Sequence, residues 1–401
     1  MRWAKGPRGS GENVWADVAG VACCAVAFRV LSAVVAFLSR VAFPSANPIA
    51  DGQSVFGGTR AFWDIFSRWD SGWYFQIAYG GYQYAPGGRS NIAYFPAYPL
   101  LMRYVGRLFG RSQADLYFGG ITISWVAFVL AMIGLYKIAR LDVEPREAKR
   151  AVLLATIFPF AFFFGVVYTE SLFLAAMIGA FYFFRTRRWL LGGLCGALAT
   201  GTRVNGIMMW PALAWIAWRG LASGSKSSNP SREPLRVLMA LLLVPAGIGL
   251  YSLYVYRLSG HLFEWKKTIE YWGYYPGGTP WLALVRLVQD LTQRPIVYIA
   301  TVHNAPYDAL NGITALLFAA AIPFVWMRFG TAYGLLMAVN LWVPLSSGLF
   351  EGLGRYCSVL FPFFIWLGSI RWRPVFTSAI VLFAVFYTLC MALFTNLQPL
   401  Y

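Results

Sequence analysis

Four ionisable residues stand apart in a chain that otherwise reads as soluble in lipid. Asp70 lies in SRWDSGWYFQIAYGGY (67–82), and Glu170 separates two apolar runs in FGVVYTESLFLAA. Arg203 sits in ATGTRVNGIMMWP, and Arg355 follows Gly352 and Gly354 in SSGLFEGLGRYCSVLFPFF. A carboxylate among Trp69, Trp73 and Tyr74 suits a general base working at an apolar surface. An arginine at a helix break, beside Thr200, Thr202 and Asn205, suits an anion, because the guanidinium fork matches two phosphate oxygens. Each residue also has a plainer explanation. Asp70 would serve as a helix N-cap, and Glu170 would mark an outer turn. Arg203 would snorkel to headgroups, and Arg355 would be neutralised by its neighbour Glu351. Asp64, in FWDIF, is the rival acid.

The elements that must position these groups are membrane helices. Of 401 residues, 59% are hydrophobic and only 12% charged, about half the charged share of a soluble domain. The chain reads as an all-α polytopic membrane protein, one integral-membrane domain over 1–401. A bilayer core needs roughly 20 helical residues per span. That ruler gives about eleven candidate spans, near 17–40, 116–137, 151–168, 170–184, 189–202, 204–218, 236–257, 307–327, 331–349, 355–370 and 374–395. The first is too long for the apolar region of a signal peptide and is expected to span.

Charge sets the expected orientation. The net charge of +17 would suit nucleic acid, but its carriers lie in short loops at 137–150, 185–188, 219–236 and 371–373. This is the positive-inside pattern, so no nucleic-acid partner is expected. The N-terminus is placed in the cytoplasm. The aromatic-rich segments 41–115 and 258–306 are placed outside, with short interfacial helices in the first, including one over Tyr94–Gly110. Asp70, Glu170, Arg203, Glu351 and Arg355 then share the outer side.

Five cysteines, in or beside apolar segments, predict no disulfide framework, and two histidines in the whole chain argue against a metal site. No P-loop, GxGxxG, GxSxG or HExxH motif occurs. An outward acid with two arginines points to transfer of a group carried on a lipid phosphate. The competing readings are a transporter or lipid flippase, which predicts charges near the midplane and a repeated fold, and a structural membrane protein, which gives the acid and arginines no reason to converge.

RWDSGWYFQIAYGGY followed by NIAYFPAYPLLMR resembles the first external loop of the PIG-V family, the GPI mannosyltransferase 2 type. IFPFAFFFGVVYTESLF, GTRVNG and GRYCSVLFPFF continue the resemblance in order, over most of 68–363. It implies a GT-C-type glycosyltransferase bundle that takes mannose from a polyprenyl-phosphate donor on the extracytoplasmic face of the plasma membrane; direct displacement would then invert the anomeric carbon. The acceptor would be a glycolipid, glycan or protein, and no cofactor or metal would be required. The resemblance carries the catalytic base onto Asp70. Donor phosphate falls to Arg203 and Arg355, and supporting roles to Trp69, Trp73, Tyr168, Glu170, Asn205 and Tyr356. Trimmed loops and shorter length match a bacterial member, so the eukaryotic acceptor is not carried over.

Overall fold

The computed structural model describes residues 14–45, 61–224, 230–272, 278–293, 308–347, 350 and 352–398. Glu351 therefore lies outside the described residues. Helices dominate the described chain. Among the described residues, Trp15–Ala42, Gln113–Ala139, Ala309–Phe329 and Arg373–Thr395 are each long and apolar enough to cross a bilayer alone. Glu233–Leu243 and Ala246–Ser259, bent by 43°, make a fifth as a pair.

Several of the eleven expected spans are shorter than the apolar runs that suggested them, for local reasons. The 151–168 run is helical only as Pro145–Ile157, because Phe158 precedes Pro159 and takes an extended ψ of 140°. The proline ring disfavours the helical region for the residue before it. A 3-10 helix over Ala161–Gly165 follows. The 204–218 run starts as the 3-10 turn Val204–Met209 and becomes α-helical at Trp210–Ala222. The 355–370 run splits into Leu353–Ser358 and Phe361–Gly368, the second with Pro362 in its first turn. The 258–306 segment, read as loop, holds helices Glu264–Glu270 and Pro280–Gln293.

Short helices do occupy the first expected external segment: Ala61–Asp64, Ser71–Gly80, the 3-10 turn Asn91–Ala93 and Ala97–Gly106. Arg103 closes the carboxyl end of Ser71–Gly80, donating to the carbonyls of Ala78 (2.5 Å) and Ile77 (2.8 Å). A cation there complements the helix dipole. Ala97–Gly106 rests directly on Gln113–Ala139. A Cβ on Gly119 would stand 2.4 Å from the Gly106 nitrogen, so only glycine permits this crossing.

The core is richest around 158–168. Phe158, Phe160, Phe162, Phe163 and Phe164 are each at most 2% exposed. This irregular segment is held on every side. The buried Arg29 donates to the Ala161 carbonyl (3.3 Å) and to the Tyr387 hydroxyl (3.3 Å). Trp125 Nε1 donates to the Gly165 carbonyl (3.0 Å), and Ser171 Oγ to that of Phe164 (2.7 Å). The Val167 amide donates to the Phe66 carbonyl at 2.9 Å, tying the segment to the chain that leads into Asp70.

Helix Glu170–Arg185 runs from this core to a second polar cluster. There Arg185 grips Asp142 through both terminal nitrogens (2.8 and 2.9 Å), and the Tyr333 hydroxyl donates to the same carboxylate at 3.0 Å. The basic 137–150 and 185–188 loops meet at this end, opposite Glu170.

Candidate active site

Asp70, Glu170, Arg203 and Arg355 come from four separate parts of the chain and meet in one ion network. Arg355 joins the two acids. Its Nη1 donates to Asp70 Oδ2 at 2.9 Å, and its Nε donates to Glu170 Oε1. Arg203 Nη1 donates to the same Glu170 oxygen and to Thr169 Oγ1 at 3.3 Å. Glu170 is fully buried, whereas the side chain of Asp70 is 27% exposed. Solvent therefore cannot balance the Glu170 charge, and the two guanidiniums must. Its other oxygen, also buried, has no hydrogen-bond partner among the described residues.

Local backbone places each group. Trp69 has φ of +53°, left-handed for a bulky residue and therefore held by its surroundings. That turn delivers Asp70 to the start of Ser71–Gly80. Asp70 does not cap the helix: its side chain makes no cap bond and turns to Arg355 instead. Its amide donates to the Tyr168 hydroxyl at 3.1 Å. Glu170 opens its helix, and Arg203 ends Trp189–Thr202 in extended conformation (φ −150°, ψ 145°).

Arg355 lies on Leu353–Ser358, entered through Gly352 at φ +73°. Next to it, Gly354 packs on a ring of the buried segment, where an added Cβ would come within 2.1 Å of Phe160. The Gly354 amide donates to Asn311 Oδ1 at 2.7 Å, fixing the short helix from the other side.

Aromatic faces line both cations. Arg355 lies 4.5 Å from the Tyr168 ring centroid and 5.0 Å from that of Phe163, and Arg203 lies 5.0 Å from that of Tyr356. Tyr168, Glu170 and Tyr356 thus take part directly in the cluster, and Trp69 through its backbone. Asn205 is buried on the Val204–Met209 turn, its Oδ1 without a hydrogen-bond partner among the described residues. Trp73 meets the site through Tyr94, on which it stacks at 5.8 Å and 12°. Asp64 is buried at the end of Ala61–Asp64, and neither Arg203 nor Arg355 pairs with it.

Sequence reasoning missed Tyr94. Its hydroxyl donates to Asp70 Oδ1 at 3.1 Å, so both carboxylate oxygens are engaged. Burial, and then the nearby Asp70 charge, push the Tyr94 phenol well above its ordinary pKa, so it stays a donor at physiological pH. The signal was its place inside NIAYFPAYP, which reads as interfacial helix unless the hydroxyl is given a role. Trp272, from the second expected external segment, was missed as well. Its ring meets those of Trp73 (5.0 Å) and Tyr94 (5.7 Å) edge-on, closing the first segment against the second. Tyr94→Phe keeps this packing and loses only the hydroxyl. Hydrogen bonds to charged groups contribute about 1.5–3 kcal/mol to stability, so the melting midpoint in detergent should fall while the chain still folds. An unchanged melting curve would show the hydroxyl contact to be incidental.

Comparison with known proteins agrees with the motifs. A family model described as Mannosyltransferase (PIG-V) matches residues 20–261. The GPI alpha-1,6-mannosyltransferase 2 of Mus musculus is 30% identical over 221 residues, 53% of this chain and 42% of that protein. That of Rattus norvegicus is 28% identical over 250 residues, covering 58% and 50%. A GPI mannosyltransferase 2 of Cryptococcus neoformans is 30% identical over 199 residues, covering 47% and 46%. The matched region thus spans at most half the length of these relatives. Among solved structures, an Archaeoglobus fulgidus oligosaccharyltransferase aligns over 93% of this chain and 53% of its own, with TM-score 0.43 and 14% identity. The family model covers more than half of the 401 residues, and the chain belongs to the PIG-V mannosyltransferase family.

Proposed function

We propose that the protein is a membrane glycosyltransferase that moves mannose from a polyprenyl-phosphate donor to an acceptor hydroxyl, with inversion, on the extracytoplasmic face of the plasma membrane. The observation that carries this reading is the meeting of a partly exposed carboxylate with two guanidiniums in one network. Family membership supplies the sugar, and the charge asymmetry of the loops supplies the orientation.

In this reading Asp70, the one acid of the network open to solvent, takes the proton of the acceptor hydroxyl as that oxygen attacks C1. The C1–O bond to phosphate breaks on the opposite face of the sugar. Among the described residues Arg203 donates to protein only through Nη1, which leaves its Nε–Nη2 edge for two phosphate oxygens. A preorganised donor aimed at charge developing on a leaving group contributes about 3–4 kcal/mol to catalysis. A lipid monophosphate leaving group with such an arginine needs no divalent ion. Turnover is therefore expected to persist in EDTA, and abolition reversed by manganese would refute that part. The acceptor is a glycolipid, glycan or protein hydroxyl presented at the bilayer.

The test uses purified protein in liposomes with radiolabelled polyprenyl-phosphate-mannose. Label should pass to an acceptor fraction from this donor and not from GDP-mannose. Transfer from GDP-mannose by the purified protein alone would overturn the donor assignment.

A further inference from the structure

Arg355 touches both acids of the network, through different nitrogens. Its Nη1 is on Asp70 and its Nε on Glu170, and Nη2 has no protein partner among the described residues. Its central carbon lies over the rings of Phe163 and Tyr168, 5.0 and 4.5 Å from their centroids, so aromatic surface flanks the guanidinium. Glu170 holds Arg355 and Arg203 on a single oxygen, which brings the two guanidiniums together at one acid. We infer that Arg355 serves the base and the leaving group in turn: it holds Asp70 before reaction and passes to the lipid phosphate as Asp70 takes the acceptor proton. This rests on the donor reading above.

Charge accounting supports the exchange. Two carboxylates and two guanidiniums sum to zero. A phosphodiester donor adds one negative charge. In the reaction the acceptor O–H proton goes to Asp70, the acceptor oxygen bonds to C1, and the C1–O(phosphate) electron pair leaves with the phosphate. The donor monoanion becomes a phosphomonoester carrying close to two negative charges, while Asp70 becomes neutral. The total is unchanged. One negative charge has moved from the carboxylate to the phosphate, and a neutral carboxylic acid holds a guanidinium far less tightly than a carboxylate does. Arg203 has no contact with Asp70, so Arg355 is the cation positioned to follow that charge. The substrate-free pairing also occupies one oxygen of the base until a phosphate competes for the arginine, which favours donor binding first.

The experiment measures binding of farnesyl phosphate, a short-chain version of the lipid product, to the full-length protein in detergent by calorimetry. Asp70→Asn should bind it at least about tenfold more tightly than wild type, 1.4 kcal/mol, because Arg355 is released. In an Arg355→Gln background the same substitution should change affinity less than about twofold, since the cycle isolates the shared interaction. Arg355→Lys, which keeps the charge but loses the fork, repeats the cycle if the glutamine variant does not purify as a monodisperse protein. No gain in Asp70→Asn overturns the inference. A gain of equal size without Arg355 also overturns it, because it would be simple through-space relief of repulsion. If wild type and Arg203→Gln are alike in binding no farnesyl phosphate, the donor reading itself fails. If wild type binds, Arg203→Gln does not and Asp70→Asn shows no gain, the donor reading stands and the exchange does not occur.

Discussion

Asp70→Asn is expected to slow sugar transfer between about a hundred- and about ten-thousandfold while leaving the fold intact. The two halves of this expectation come from different parts of the geometry. Asp70 is the partly exposed end of the network, and water that reaches it offsets part of what the lost ion pair contributed. When it is replaced, Arg355 keeps Glu170 through Nε. The asparagine oxygen can still accept from Tyr94, and the backbone bond to Tyr168 involves the amide alone. What is lost is the proton acceptor, together with the charge that holds Arg355 Nη1. The measurement is initial transfer from labelled polyprenyl-phosphate-mannose, alongside a melting curve in detergent. Equal rates for variant and wild type would remove Asp70 from the chemistry.

Glu170→Gln should behave in the opposite way, losing stability and activity together. Glu170 is fully buried and is the only carboxylate paired with Arg203 among the described residues. Removing one partner of a buried pair costs about 3–5 kcal/mol, because the remaining charge is left uncompensated. That is a large part of the roughly 5–15 kcal/mol by which proteins are stable. A lower melting midpoint and poor recovery of monodisperse protein are the expected readouts. Arg203→Gln in the same chain should restore much of the stability and none of the turnover, since it deletes the orphaned charge while Arg355 still has Asp70. A double variant as unstable as the sum of its parts would show that Glu170 is held by something other than these cations.

Much of the site was legible because charged residues are rare in this chain and a helix count assigns each to one side of the membrane. Asp70 and Arg355 are 285 positions apart, and no local pattern links them. What linked them was the expected topology, which puts Asp70 in the first external segment and Arg355 at the outer end of an apolar run. The same logic could not find Tyr94, since tyrosine is common here and its hydroxyl matters only once Asp70 is seen to face it. Run length misled at two prolines, while a third, Pro323, sits inside the unbroken helix Asp308–Phe329. Phe158–Pro159 and Pro362 cut apolar runs into pieces too short to span, because hydropathy averages do not register a missing amide or a blocked backbone region. Pro280–Gln293 was read as loop because its apolar residues occupy one face, which lowers the mean that a span search requires. The breaks are part of the site: Tyr168 and Glu170 follow an irregular turn, and Arg203 and Arg355 stand beside others.

Helix Glu170–Arg185 has 16 residues with an ion cluster at each end. At 1.5 Å per residue it measures about 24 Å, less than the roughly 30 Å of a bilayer's hydrocarbon layer. If this helix lies along the bilayer normal with Arg185 at one water boundary, Glu170 and its two arginines lie several ångströms beneath the other, within the depth of the acyl chains. Under the proposed function, a sugar on a lipid carrier would reach that level without leaving its own phase, and so would an alcohol tethered to lipid. Bulk water, the most abundant competing nucleophile, would have to descend to it.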